Sequence, residues 1–351
     1  MHDVDVPVSP MIVGDHDLAV LPYPEHLGEQ KDQAGRQQGD SGVKSQAPVH
    51  CPAEFSWVAG FAGATNVGVM RFAFKTSPQE TTWAQMLAVW TAADDIDVFE
   101  SGWTFDHFYP IFGNSAGPCL EGWTTLTALA QATKRLRLGT LVTGIHYRHP
   151  AVLANMAAAL DVISNGRLEL GIGAGWNEEE SGAYGIELGS IKERFDRFEE
   201  ACEVLTSLLS QETTNFDGKY YQLKDARNEP KGPQRPHPPI CIGGSGEKRT
   251  LRITARYAQH WNFVGGPPDL FAHKRDVLYS HCADIGRDPK EITLSAHLRL
   301  EPDHNYAKVI EDAAGLAAEG LDLGIVYIAP PHDPTVLEPL AEAIRDSGLA
   351  T

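Results

Sequence analysis

Arg71-Phe-Ala-Phe-Lys-Thr-Ser-Pro78 decides between the two α/β architectures open to this chain. Its apolar run reads as a strand, and it leaves through Lys-Thr-Ser-Pro without a glycine. A doubly wound sheet carries a Gly-rich turn just after its first strand, where the helix N-terminus meets a dinucleotide. That turn is missing. In its place the chain sets up a long alternation of short apolar strands with amphipathic helices. The pattern predicts strands at 72–75, 98–101, 136–142, 167–173, 240–242, 259–264, 292–300 and 323–329. Helices are expected at 82–96, 122–133, 151–164, 191–209, 247–258, 270–285, 307–319 and 335–346. In the fourth helix Ile191, Phe195, Phe198, Cys202, Leu205 and Leu209 form one apolar stripe. Eight strand–helix units match a (β/α)8 TIM barrel of about 250 residues. An insertion precedes the fifth strand. It holds a hairpin turn signal at Asp217-Gly218 and a proline-rich crossing through Pro230, Pro233, Pro236, Pro238 and Pro239.

Residues 1–69 do not share this rhythm. They hold nine acidic and three basic residues, six prolines and eight glycines. Glu29 to Ser45 is polar and rich in breakers, too poor in apolar surface to offset chain entropy. The expected organisation is therefore a disordered extension, or a segment upstream of the true start, followed by a barrel from Met70 to the end.

Composition narrows the function. The 351 residues carry a formal charge of −18, split as −6 on the extension and −12 on the barrel. Such a field repels phosphate backbones and anionic bilayers, so neither nucleic acid nor membrane is an expected partner. No run approaches the ~18–20 apolar residues of a membrane span. Cys51, Cys119, Cys202, Cys241 and Cys282 are odd in number and scattered, without C-x-x-C, as in a reducing cytoplasm.

In barrels of this kind chemistry gathers at the C-terminal ends of the strands. After the second strand comes Ser101-Gly-Trp-Thr-Phe-Asp-His-Phe-Tyr-Pro110. Asp106 and His107 put a titratable imidazole at the mouth, suited to moving a proton; holding the loop is the bland alternative. The third strand leads into Thr143-Gly-Ile-His-Tyr-Arg-His-Pro150. Its His146/His149 pair lacks an acidic or cysteine ligand at a recognised spacing, so no metal is expected. The fourth ends in Gly171-Ile-Gly-Ala-Gly-Trp176, a G-x-G-x-G that fails the dinucleotide spelling. Gly173 and Gly175 suit close approach of a planar ligand with Trp176 as a wall, or they relieve packing at the rim. The fifth ends in Gly243-Gly-Ser-Gly246 directly before an expected helix, which makes an anion site or a plain turn.

Taken in order, several segments resemble the bacterial luciferase-like monooxygenase superfamily, in particular its branch using the deazaflavin coenzyme F420. They are Phe105-Asp-His-Phe108, Gly139-Thr-Leu-Val-Thr143, Arg148-His-Pro-Ala151, Gly166 to Trp176, Glu193-Arg-Phe195, Phe216-Asp-Gly-Lys-Tyr220, Pro238 to Gly246 and Ala255-Arg-Tyr-Ala258. The resemblance covers about Met70 to Ser347. It implies a deazaflavin ring in the barrel mouth, its phosphate on Gly243, Gly244, Ser245 and Gly246, and a cis peptide at Leu141–Val142 beside Thr143 under the ring. It further implies Asp106 and His107 beside the ring, with His107 handling the proton. The enzyme is then an oxidoreductase moving a hydride to or from an organic substrate. FMN with oxygen and a partner reductase is the alternative, and a non-catalytic flavin-binding barrel a third. A homodimer is expected by the same likeness.

Two departures stand out. The glucose-6-phosphate dehydrogenase branch has a glutamate where this chain has Trp176, and a tryptophan where it has Ile111. Trp103, Phe108, Tyr109 and Trp176 instead suggest an aromatic, mainly apolar cleft for a small-molecule substrate, or else rim packing.

Overall fold

The computed structural model describes residues 69–350, and the expectations for the N-terminal extension lie outside them. The glycine-free first strand, β1 (Arg71–Thr76), places Phe72 and Phe74 on one face and Ala73 on the other. Thr82 then caps α1 (Trp83–Asp94), its hydroxyl on the Gln85 N–H and the Gln85 side chain on the Thr82 N–H. β2 (Phe99–Asp106) runs five residues further than its pattern predicts, so Trp103 and Asp106 lie within the strand and not after it. The next units are α2 (Gly122–Ala132), β3 (Arg137–Gly144), α3 (Pro150–Ile163) and β4 (Leu168–Gly173). A short helix not anticipated from periodicity, α4 (Glu178–Ala183), precedes α5 (Ile191–Ser210). The α5 stripe is buried from Phe195 to Leu209, while Ile191 at its first turn is 40% exposed.

β5 (Thr214–Asp217) and β6 (Gln222–Ala226) form the expected hairpin, antiparallel and outside the barrel. Its turn starts at Asp217-Gly218 but takes four residues, closed by the Gly218 N–H on the Tyr221 carbonyl. Glu200 of α5 accepts the N–H groups of Lys219, Tyr220 and Tyr221, which fastens the hairpin to the barrel wall.

β7 (Ile240–Gly243), α6 (Thr250–Tyr257), β8 (His260–Phe263), α7 (Pro268–Asp284), β9 (Thr293–Leu300), α8 (Tyr306–Ala318), β10 (Leu323–Ile328) and α9 (Leu337–Ser347) complete the chain. The eight main strands close in the order β1-β10-β9-β8-β7-β4-β3-β2, every pair parallel. This is the TIM barrel that the rhythm predicted.

The strand period of two sorts side chains into two cores. One fills the layer between strands and helices, with Phe72, Phe74, Trp90, Phe99, Trp261 and Phe271 among its largest members. The other lies inside the barrel and consists of Ala73, Trp103, Leu141, Cys241, Leu323 and Ile325. Trp103, expected in the substrate cleft, belongs to this inner core. It is fully buried, its indole N–H bonds Ser101 Oγ at 3.1 Å, and its ring stands edge-on to His260. An inward position midway along β2 leads to the barrel centre, not to the rim. Among the described residues no helix is long and apolar enough to cross a membrane.

Candidate active site

Asp106, the last residue of β2, and His107, the first beyond it, have different partners. Asp106 is fully buried and its carboxylate is gripped by the Arg148 guanidinium, one contact at 3.2 Å and the other shorter. Arg148 also approaches Glu121, at 3.6 Å. Asp106 therefore fastens the end of β2 to the loop after β3.

His107 takes its carboxylate from elsewhere. Its Nδ1 lies 2.7 Å from Glu180 Oε2, and the Phe108 N–H donates to Glu180 Oε1 at 2.6 Å. The Tyr147 hydroxyl donates a short hydrogen bond to Glu180 Oε2 and sits 3.2 Å from His107 Nδ1. Glu180 is fully buried. Burial alone would raise its pKa, but the bonds from His107, Tyr147 and Phe108 outweigh it and the carboxyl is held below its ordinary value. Burial and the same carboxylate push the Tyr147 phenol up, so it stays protonated and donating. An ionised Glu180 draws the imidazole proton to Nδ1 and leaves Nε2 as acceptor. Nε2 makes no hydrogen bond to the described residues.

Glu180 reaches this position through α4. Asn177 caps that helix, its Oδ1 on the Glu180 N–H at 3.0 Å, and so turns Glu180 inward while Glu178 and Glu179 face water. The Asn177-Glu-Glu-Glu180 string carries the cap-and-acid signature of a helix start, a local signal for α4 that the long-period reading passes over. Tyr147 has no such signal in the sequence.

The expected non-prolyl cis peptide lies at Leu141–Val142. The β3–β4 register shifts between Gly139 and Thr143. A side chain at Gly173 would meet Val142 Cγ2 at 2.8 Å, one at Gly243 would meet Val142 Cγ1 at 3.1 Å, and one at Gly171 would collide with the Thr140 carbonyl. The strand-end glycines thus make room for the irregular β3 segment, which is a different reason from direct approach to a ligand. Val142 is half-buried and caps the inner apolar core. Thr143 is buried in a relay: Trp123 Nε1–H donates to Thr143 Oγ at 2.9 Å, Thr143 to Thr140 at 2.9 Å, and Thr140 to the Gly171 carbonyl at 3.0 Å.

Gly175 has φ +88°, and a side chain there would strike the His146 ring. His146 Nε2 contacts Ser181 Oγ at 3.1 Å, and burial lowers its pKa to about 4. His149 caps α3 through the Ala151 N–H at 3.1 Å. The two histidines are thus engaged separately, and among the described residues no group of three or more His, Cys, Asp or Glu is placed around a metal. Trp176 is half-buried with its ring edge toward His107, centroids 5.7 Å apart. Phe108 packs on Tyr147 and on Tyr184, with centroids 4.8 and 4.6 Å apart, and Tyr109 lies 6.4 Å from Tyr184. Tyr184 is an exposed member of the aromatic rim that the sequence reading missed.

The Gly243–Gly246 loop differs from its expectation in one respect. The helix after it begins at Thr250, three residues late, so the glycines do not form the helix N-terminus. β8 pins the loop instead: the Gly244 N–H donates to the Asn262 carbonyl at 3.1 Å, and Trp261 Nε1–H to the Gly244 carbonyl at 2.7 Å. Gly244, at φ +118°, is a position where a side chain is strained.

Known proteins resemble this chain in sequence and in fold. An F420-dependent glucose-6-phosphate dehydrogenase of Microbacterium testaceum is 30% identical over 243 residues, 68% of this chain and 70% of that one. The fold matches that of an F420-dependent secondary alcohol dehydrogenase solved with an F420–acetone adduct (TM-score 0.70, 18% identity, 81% of this chain and 100% of that one). It also matches a monooxygenase from Streptomyces bottropensis (TM-score 0.65, 19% identity, 79% and 98%). The model of the luciferase-like monooxygenase family matches residues 65–345, so the chain belongs to that family.

Proposed function

We propose that this protein is an oxidoreductase that binds the deazaflavin F420 in the barrel mouth and transfers a hydride to or from an organic substrate with an apolar or aromatic body. The observation that carries this reading is His107, with Nδ1 held by a buried carboxylate and Nε2 without a partner among the described residues. The residues present suit a planar ring. Val142 offers an apolar support where it caps the inner core, Thr143 and Trp123 brace that support, and Gly173, Gly175 and Trp176 line the neighbouring strand end. The Gly243–Gly246 loop would hold the cofactor's phosphate; the Gly244 N–H on the Asn262 carbonyl, which pins the loop to β8, supports this reading.

When bound, the deazaflavin supplies or accepts the hydride. The protein's own share is proton handling and orientation. His107 Nε2 takes the proton from a substrate hydroxyl in oxidation, or returns it to the carbonyl oxygen in reduction. Glu180, itself held by the Tyr147 hydroxyl, fixes the imidazole's tautomer. Asp106 acts through Arg148 as a positioning residue. Phe108, Tyr109, Trp176 and Tyr184 hold the body of the substrate. Trp176 and Ile111, standing where the sugar-phosphate dehydrogenases have their glutamate and tryptophan, argue against glucose 6-phosphate as that substrate.

Calorimetric titration with the deazaflavin and with FMN tests the cofactor. The deazaflavin is expected to bind more tightly. Tighter FMN binding would replace this reading by a flavin monooxygenase supplied with reduced cofactor by a reductase.

A further inference from the structure

Inward-facing positions can be followed upward from the inner core. Two residues past Ala73 stands Lys75, two past Ile325 stands Tyr327, and past the buried Ser295 stand His297 and then Arg299. Lys75 is the register partner of Tyr327, and Tyr327 of Arg299, so the three occupy one hydrogen-bonded row across β1, β10 and β9. The Arg299 guanidinium lies 6.0 Å from the centre of the Tyr327 ring. Lys75 Nζ donates to the Leu141 carbonyl at 2.9 Å, the carbonyl beside Val142. It also lies 3.4 Å from His297 Nε2. His297 Nδ1 is 3.3 Å from the Val264 carbonyl, which assigns its proton to Nδ1 and makes Nε2 the acceptor for Lys75.

An ammonium has three donors, and these two bonds use two of them. None of the ion pairs among the described residues includes Lys75, although the chain carries a charge of −18. An interior cation without a counter-charge is costly unless something else supplies one. We propose that Lys75, oriented by Leu141 and His297 and flanked by Arg299, receives an anionic oxygen group of the substrate, in the first instance a carboxylate. This rests on the reading of the mouth as the oxidoreductase site, and it deepens that reading: the substrate joins an apolar or aromatic body to an acidic head.

Burial first, and then the charge of Arg299, lower the Lys75 pKa to about 7, and burial with the nearby Lys75 keeps His297 neutral. Among the described residues, the titratable or charged groups facing Lys75 are His297, Arg299, Cys241 and Tyr327, with no carboxylate among them. An arriving anion favours protonated Lys75, so affinity should fall as pH rises above about 7.

The test is calorimetric titration of the full chain, with and without deazaflavin, using benzoate and separately inorganic phosphate as probes. Benzoate should bind, and Lys75→Met should weaken it at least about tenfold, the equivalent of one charge-assisted bond. Deazaflavin affinity should stay within about twofold. His297→Leu, which keeps the cation but removes its orienting acceptor, should weaken benzoate by a smaller factor and serves as the readout if Lys75→Met does not fold. Benzoate binding that is absent, or indifferent to both substitutions, overturns the subsite and leaves the cofactor reading standing. Loss of deazaflavin affinity in Lys75→Met assigns the cation to the cofactor and likewise overturns it. Tighter Lys75-dependent binding of phosphate overturns the carboxylate. Lys75-dependent benzoate binding in a protein that ignores deazaflavin would support the subsite while removing the proposed function.

Discussion

The two ends of the barrel use the same alternation of inward side chains and close their polar groups in opposite ways. At the N-terminal end of the strands Glu169 lies between Arg137, at 2.7 Å, and His260, at 2.9 Å. His260 Nε2 reaches Ser295 Oγ at 2.7 Å, and Asn262 donates to the same hydroxyl at 2.9 Å. Arg71 pairs with Glu100 at 3.1 Å across a cleft of about 330 Å³. Every charge named there has its opposite beside it. Among the described residues, the C-terminal end holds a histidine with one open nitrogen, a lysine without a carboxylate, and a buried Tyr109 hydroxyl and His146 Nδ1 with no partner. Buried polar groups in folded proteins are normally satisfied. A closed network at one end and an open one at the other is how a single fold separates stability from chemistry.

His107→Ala should break the contrast most severely. Single-turnover hydride transfer is expected to fall about 10²–10⁴-fold, the usual share of a positioned acid–base group. The deazaflavin dissociation constant should move by no more than about threefold. Unchanged transfer would remove His107 from the chemistry. At the other end Glu169→Ala leaves His260 and Arg137 without their shared anion. Removing one partner of a buried pair costs about 3–5 kcal/mol, to be read by urea unfolding, with cofactor affinity unaltered. A loss under about 1 kcal/mol would show that the lower network is no keystone. Glu180→Gln sits between these cases. It keeps the shape and removes the carboxylate that holds the proton of His107 on Nδ1. The expected result is a fall in kcat of about tenfold, one factor of ten being about 1.4 kcal/mol, with KM near its original value. A rise in KM with kcat unchanged would make Glu180 a binding residue instead.

Much of this contrast is legible in the sequence, and the limits are physical. Strand and helix periods reveal the eight units because each must bury one face on a common core. His107 and the Gly243–Gly246 loop stand at strand ends, where local spelling and family likeness both speak, whereas the cis bond at Leu141–Val142 follows from family likeness alone. Strand length does not follow from periodicity when both faces are buried. β2 continues through Trp103 to Asp106 for that reason, and Trp103 moves from the expected cleft to the inner core. The partner of His107 is hidden because Glu180 is 73 residues away, on a helix too short to show a period. Lys75 is the converse: its residue is plain in the opening strand, but the lack of a counter-charge among the described residues appears only once β1, β9 and β10 are placed side by side.

The mildest test is a change of pH, which separates the two ends without a mutation. Burial opposes the charge on His260, but Cys241 and Glu169 outweigh it and raise the pKa to about 10. The stability it contributes is complete below its ordinary value near 6.5 and is lost as pH rises through about 10. Glu169 runs the other way. Burial would raise it, yet His260 and Arg137 bring it down to about 2. Its contribution is present above the ordinary value of 4.5 and is lost as pH falls through about 2. As far as this network decides it, thermal unfolding midpoints should be highest between about pH 4.5 and pH 6.5 and fall progressively on either side, toward about 2 and about 10. Anion binding at Lys75 should weaken only above about 7, and it has no acid limb from Glu169. A midpoint that stayed level through pH 9 would show that Glu169 does not hold His260 charged, and the closed network would no longer stand apart from the open one.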